Sequence, residues 1–185
     1  MISRNFKNLA QEVNGKLLNR EFATAVFKGV AIDSRVVGGE QLFVAIEGVT
    51  DDGHRYLNDA IGKDCAGLLV NNKFTGIDEL KTKVPIVAVD DTHLAMLKLA
   101  QNYRNESDPK LIAVTGSNGK TTTKEMIYSF IRNKTNKTYR SPGNFNNLFG
   151  LPLSIFKMPS DTEYAIFELG ISDRKSTRLN SSHRL

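Results

Sequence analysis

Short continuous apolar runs punctuate the chain: "LFVA" (42–45), "GLLV" (67–70), "PIVAV" (85–89), "LIAV" (111–114) and "YAIF" (164–167). Runs this short fit strands covered on both faces better than helices. "GVAIDSR" and "LFVAIEG" are β-rich, with the glycine turn "VVGGEQ" between them. Helical spacing fills the intervals. "HRYLNDAIGKD" sets Tyr56, Leu57, Ala60 and Ile61 on one face. "DDTHLAMLKLAQNYRNESDP" is capped by Asp91 or Thr92, and Leu94, Leu97, Ala100 or Gln101, and Tyr103 or Arg104 follow. Beyond Lys110 the pattern predicts a buried strand (111–115), a loop, a helix (119–132) and a strand at "EYAIFELG"; Met126, Ile127, Phe130 and Ile131 would form the helix's buried face. The alternation predicts an α/β fold. A small α/β domain would span 1–90, a connecting helix 91–107, and the start of a parallel-sheet nucleotide-binding domain 108–172.

Composition narrows this picture. The 185 residues are 40% hydrophobic and 24% charged, ordinary for a globular protein. No apolar run approaches the roughly 20 residues of a membrane span, and the N-terminus lacks a secretory apolar segment. One cysteine, Cys65, precludes an intrachain disulfide; the expected location is the cytoplasm, with Cys65 a buried structural thiol. The net charge of +5 invites a nucleic-acid partner until its distribution is examined. The last thirteen residues carry four basic side chains and one acid, which leaves +2 for the rest and no basic stripe. Asp173 to His183 resembles a translated sequencing adapter, so 173–185 is expected to be an artefactual tail, and the gene to have been interrupted there.

The chemistry concentrates at "VTGSNGKTTTKE" (114–125). The general phosphate-loop pattern G-x-x-x-x-G-K-[ST] fails, because Val114 stands where its first glycine belongs. The context is nonetheless that of a phosphate site, with a shorter loop. A strand leads in, and Gly116 and Gly119 allow the sharp turn that aims backbone N–H groups at an anion. Lys120 neutralises charge, Thr121 offers a hydroxyl to Mg²⁺, and a helix N-terminus follows. Glu168 ends a strand, where an open α/β sheet places its site; on the residues alone a surface carboxylate fits equally well. Asn144, Asn146 and Asn147 read either as amide ligands or as an Asn-rich turn.

"GSNGKTTTKE" resembles the loop of the Mur ligases, the ATP-dependent amide-bond ligases of peptidoglycan synthesis, and within them the type that adds D-alanyl-D-alanine. "SPGNFNNLFGLPLSIF" (141–156) is similar to their G-N-x-N-N-x-x-G-x-P-L signature, and 31–61 resembles their UDP-binding first domain. The resemblance runs over nearly all of 1–172. It implies a small N-terminal UDP-binding domain followed by the start of a P-loop ATPase domain. Gly116, Ser117, Asn118, Gly119, Lys120, Thr121 and Thr122 would hold ATP, Lys120 and Glu168 would be catalytic, and Thr121 and Glu168 would hold Mg²⁺. Ile32, Ser34, Arg35 and Thr50 would meet the UDP end of the substrate. Asn144, Asn146 and Asn147 would line the meeting place of its peptide and the γ-phosphate. Asp33 would fix its turn, and His54 would be structural. The implied partners are a UDP-MurNAc-peptide and D-Ala-D-Ala, with a monomer as the full-length form.

The family's later sheet strands, carbamylated lysine and C-terminal domain fall outside 1–185, so this chain alone is expected to have no ligase activity. The alternatives are the Mur ligase type that adds the third peptide residue, and a non-catalytic nucleotide-binding module.

Overall fold

The computed structural model describes residues 1–48, 50–80, 83–143 and 145–170. The adapter-like tail and Asn144 therefore lie outside the described residues. The chain divides into two compact units, 1–103 and 104–185.

In the first unit the order is β1 (Ser3–Asn5), α1 (Phe6–Glu12), β2 (Lys16–Leu17), β3 (Val26–Lys28), β4 (Val30–Ala31), β5 (Leu42–Val44), α2 (Leu57–Gly62), β6 (Gly67–Asn71), β7 (Ile86–Val89) and α3 (Thr92–Ser107), whose last residues fall in the second unit. The main sheet runs β2-β7-β6-β5-β4; β2 is antiparallel to β7 and the remaining pairs are parallel. β1 and β3 form a separate antiparallel ribbon. Because β4 and β5 are parallel, "VVGGEQ" belongs to a crossover loop, not a hairpin turn.

Leu68, Leu69 and Val70 of β6 are all buried, which requires cover on both sheet faces and accounts for the unbroken apolar run. One side packs Phe43, Leu68, Val70 and Ile86 with Leu57 and Ala60 of α2 and with Cys65. Burial pushes the Cys65 thiol up to about 11, so it stays protonated and inert. Phe6 meets Phe27 at 5.5 Å between ring centroids. A Cβ on Gly67 would clash with the Phe6 ring at Cζ and stand 2.7 Å from the Pro85 carbonyl oxygen. Gly67→Ala is therefore expected to cost about 2 kcal/mol by overpacking, read as a lower urea midpoint at unchanged m.

Asp91 caps α3, its carboxylate accepting from Leu94 N at 2.9 Å. The buried face of α3 is Thr92, Ala95, Met96, Leu99, Ala100 and Tyr103, and Leu94 is exposed. Ala100 and Tyr103 face inward as the spacing predicts, whereas Leu94 does not, and Thr92 turns inward to donate to the Ala45 carbonyl at 2.7 Å.

The second unit contains β8 (Lys110–Val114), α4 (Lys120–Arg132), β9 (Thr138–Arg140), α5 (Gly150–Lys157) and β10 (Tyr164–Glu168). Its strands are parallel in the order β8-β10-β9. The register sets Glu168 opposite Val114, so the C-terminal ends of β8 and β10 lie side by side.

Two expectations fail here. β8 is largely exposed, because among the described residues it pairs only with β10 and is an edge strand. Met126 and Phe130 are 69% and 66% exposed, while Lys124 is the buried residue of α4. The inward face of α4 is thus led by a lysine, with half-buried Ile127 and Ile131 along the same side, so the predicted face fails at Met126 and Phe130.

Candidate functional site

The loop between β8 and α4 turns at two glycines with positive φ, Gly116 (142°) and Gly119 (75°). Gly119 occupies the N-cap position in a left-handed conformation that a side chain would strain, and no side chain caps the helix. The first amides of α4 have no acceptor within the helix, so they and the helix dipole favour an anion in the loop. Lys120 Nζ curls over this turn, donating to the Gly116 carbonyl at 2.7 Å and reaching the Ser117 carbonyl at 3.5 Å. Ser117 and Asn118 are exposed beside it, and Thr122 follows in the first turn of α4.

Glu168 gathers the rest of the site. It is 3% exposed. Thr121 Oγ1 donates to its Oε2 at 2.9 Å, and Asn146 Nδ2 donates to its Oε1 at 2.9 Å. Its own backbone N–H donates to Ser141 Oγ at 3.2 Å. Burial alone would raise the Glu168 pKa, but hydrogen bonds from Asn146 and Thr121 and the charges of Lys124 and Lys120 outweigh it and hold the carboxyl below 4.5. One ionised carboxylate thus bridges α4 and the asparagine segment after β9.

Asn146 is held from both ends, since its backbone oxygen also accepts from Gly170 N at 2.8 Å. Asn147 directs its side-chain oxygen to the amides of Phe149 and Gly150, at 3.1 and 2.7 Å, and so starts α5. For Asn147 the turn-forming reading was right in part.

The metal expectation can be tested on donor chemistry. Thr121 Oγ1 and Glu168 Oε2 are hard oxygen donors 2.9 Å apart beside the loop. They suit Mg²⁺, which typically takes one or two protein oxygens together with phosphate and water. Among the described residues no group of three His, Cys, Asp or Glu side chains is placed to hold a metal.

In the first unit a separate cleft of about 430 Å³ is lined by Ile32, Asp33, Ser34, Arg35, Ile46, Gly48, Asp51, Gly53 and Tyr56. Three of the predicted residues, Ile32, Ser34 and Arg35, come together there. Thr50 is exposed and is not among the lining residues. Asp33 holds the Arg35 guanidinium through both carboxylate oxygens, at 2.9 and 2.7 Å, and accepts from Arg35 N at 2.9 Å. These bonds hold the Asp33 carboxyl down at about 2, and the turn is fixed by Asp33 as expected. Of the predicted face, Leu57 and Ala60 are buried, but Tyr56 is exposed in the cleft, where its hydroxyl donates to Asp51 at 3.0 Å. His54 is structural: Nε2 accepts from Asn71 N at 2.9 Å, so the ring proton lies on Nδ1 and is donated to Asp52 at 2.6 Å.

Sequence reasoning missed Lys124, Ser141, Asp51 and Tyr56. Lys124 alone left a signal, three residues after Thr121 and four after Lys120, hence on the same helical face.

Residues 114–184 match the model of the Mur ligase middle domain. Over 172 residues the chain is 39% identical to the UDP-N-acetylmuramoyl-tripeptide–D-alanyl-D-alanine ligase of Bacillus subtilis (strain 168), covering 93% of this chain and 37% of that protein. The chain belongs to the Mur ligase family. Its fold is also that of solved Mur ligases. The UDP-N-acetylmuramoylalanyl-D-glutamyl-2,6-diaminopimelate–D-alanyl-D-alanyl ligase of Acinetobacter baumannii superimposes with a TM-score of 0.82 at 27% identity, over 94% of this chain and 38% of that one. The MurF ligase of Thermotoga maritima, solved in complex with ADP, gives 0.67 at 30% identity, over 79% and 33%. The chain spans little more than a third of the length of the curated relatives it matches. Among the described residues of this Mur ligase chain, no helix is long and apolar enough to cross a membrane.

Proposed function

We propose that this chain is the nucleotide-binding part of an ATP-dependent ligase that joins D-alanyl-D-alanine to a UDP-MurNAc-tripeptide in the cytoplasm. The observation that carries this reading is the double engagement of Glu168, by Thr121 from the phosphate-loop helix and by Asn146 from the asparagine segment. A carboxylate so placed stands where a triphosphate on one side meets a peptide on the other.

In the reaction, an oxygen of the peptide's terminal carboxylate attacks the γ-phosphorus. The bond to the β-bridging oxygen breaks, leaving ADP and an acyl phosphate. The amine of D-alanyl-D-alanine then attacks the acyl carbon, loses a proton, and inorganic phosphate departs as the amide forms. Phosphate gives the carboxylate the leaving group it lacks. The protein's part is charge neutralisation and alignment. The loop amides of 116–119 and Lys120 hold the phosphates, and Asn146 and Asn147 face the peptide. Thr121 and Glu168 would hold Mg²⁺, which when bound neutralises charge between the phosphates. In the first unit, Ile32, Ser34 and Arg35 receive the UDP end; the relatives' names support a UDP-sugar as the occupant of that cleft. Thr50 stays outside this assignment.

The test is the intact ligase supplied with ATP, Mg²⁺, UDP-MurNAc-tripeptide and D-Ala-D-Ala. Equal amounts of ADP, phosphate and UDP-MurNAc-pentapeptide are expected by mass spectrometry and phosphate release. ATP turnover that instead requires a single amino acid, with UDP-MurNAc-dipeptide as acceptor, would replace this reading with the ligase of the third residue. No ATP-dependent product from either acceptor would remove it.

A further inference from the structure

Lys124 is the one fully buried cation in the second unit's described residues, and the reaction as derived above does not use it. Its Nζ donates to the Gly143 carbonyl at 2.9 Å. It stands 3.8 Å from Glu168 Oε2 and 3.9 Å from Glu125 Oε1, too far for hydrogen bonds to either but close enough for strong attraction where water is excluded. Glu125 is in turn paired with Arg140 Nε at 3.1 Å, and the Arg140 guanidinium lies 3.9 Å over the Tyr128 ring. Lysine is costly to bury and a methionine would fill the same volume, so packing alone does not explain this residue.

Gly143 has a left-handed φ of 51° and opens the segment that carries Asn146 and Asn147. Three of its contacts among the described residues tie it to the rest of the site: Lys124 on the Gly143 carbonyl, Gly170 N on the Asn146 carbonyl, and Glu168 on the Asn146 side chain. Two of the three trace back to the face of α4 that also presents Thr121, since Glu168 is itself held by Thr121 and faced by Lys124.

We propose that Lys124 is a positioning residue of the ligase: its buried ammonium locks the asparagine segment and the Glu168 carboxylate to the phosphate-loop helix, so that peptide and γ-phosphate meet in register. It touches neither reactant, and acts through Gly143 and Glu168. Misplacement of a reacting group by an ångström costs roughly 100-fold in rate, which sets the scale of the effect. This inference rests on the ligase reading for its kinetic readout, and its structural readout is independent of that reading.

The experiment compares Lys124→Met and Lys124→Gln with the parent in the intact ligase. Hydrogen–deuterium exchange of the amides from Phe145 to Gly150 should accelerate at least tenfold in Lys124→Met, while the paired amides of β8 and β10 keep their protection. kcat should fall by roughly 100-fold. KM for the UDP-peptide should rise, and the Kd for ATP without Mg²⁺ should change less than threefold, because the loop amides and Lys120 are untouched. Lys124→Gln keeps an amide donor near Gly143 and should recover part of the loop's protection. Unchanged exchange in 145–150 would overturn the proposal. So would uniform loss of protection across the second unit in both variants, which would make Lys124 a folding residue. So would an intact kcat beside a loosened loop. Absence of ligation in the parent would sink the ligase reading instead, and the exchange pattern would still decide whether Lys124 locks the segment.

Discussion

Lys120→Ala in the intact ligase is expected to lower kcat by a factor of about 10²–10³, the usual loss when one preorganised charge donor is removed from a water-excluded site. The side chain's described contacts are with its own loop, at Gly116 and Ser117, so little of the fold depends on it. Alanine is also the better helix former at the first position of α4. The melting temperature should therefore stay within a degree or two of the parent while MgATP affinity and turnover fall together. Lys120→Arg should not restore activity. A planar guanidinium cannot replace a compact ammonium that must fold back over a turn of this tightness. Steady-state kinetics with a thermal melt on the same samples checks both halves. A Lys120→Ala enzyme with near-normal kcat would show that the loop does not hold the transferring phosphate.

Glu168→Ala is expected to be the more damaging change because it acts on fold and chemistry at once. It leaves the Lys124 ammonium buried without its main counter-charge and Asn146 without its partner. Breaking a buried pair from one side costs about 3–5 kcal/mol, of which the Gly143 carbonyl and Glu125 retained by Lys124 will offset part. Denaturant melts should register the loss. Glu168→Gln separates the two roles. The amide keeps the shape and can still accept from Asn146, but it too removes the counter-charge to Lys124, so stability should fall by less than in Glu168→Ala, while Mg²⁺-dependent turnover falls by about 10²-fold or more with the charge. Acid should act in the same direction. The folded pKa of Glu168 lies below its ordinary 4.5, so the stability it confers is complete above that value and is lost as pH falls through the lower folded one. A Glu168→Gln enzyme with normal Mg²⁺ dependence would remove this carboxylate from the metal site.

Much of this site was legible in the chain because its parts are local. "GSNGKTT" combines the two glycines, the lysine and the hydroxyl within seven positions, and a loop of that length has few ways to fold between a strand and a helix. Asp33 and Arg35 are likewise two residues apart and settle their own turn. The errors fall where a residue's surroundings come from distant segments. Met126 and Phe130 were assigned inward because apolar residues normally lead the buried stripe, yet the face towards β10 is the one carrying Thr121 and Lys124. At the start of α3 Leu94 is exposed and Thr92 is buried instead, its hydroxyl satisfied by a carbonyl 47 positions earlier, while Ala100 and Tyr103 pack as the spacing predicts.

By itself the sequence determined the α/β class, from the alternation of apolar runs and helical spacing, and marked the loop at 116–122 with its lysine as a candidate phosphate site; Glu168 and the asparagines became candidates through the family resemblance. Only the tertiary structure decided that Glu168 is held between Thr121 and Asn146, and that a lysine is buried beneath the segment following Gly143. Those decisions depend on the parallel register that sets Val114 beside Glu168, and on how much of a charge's loss of hydration its new neighbours repay. Neither quantity is a property of any one stretch of chain.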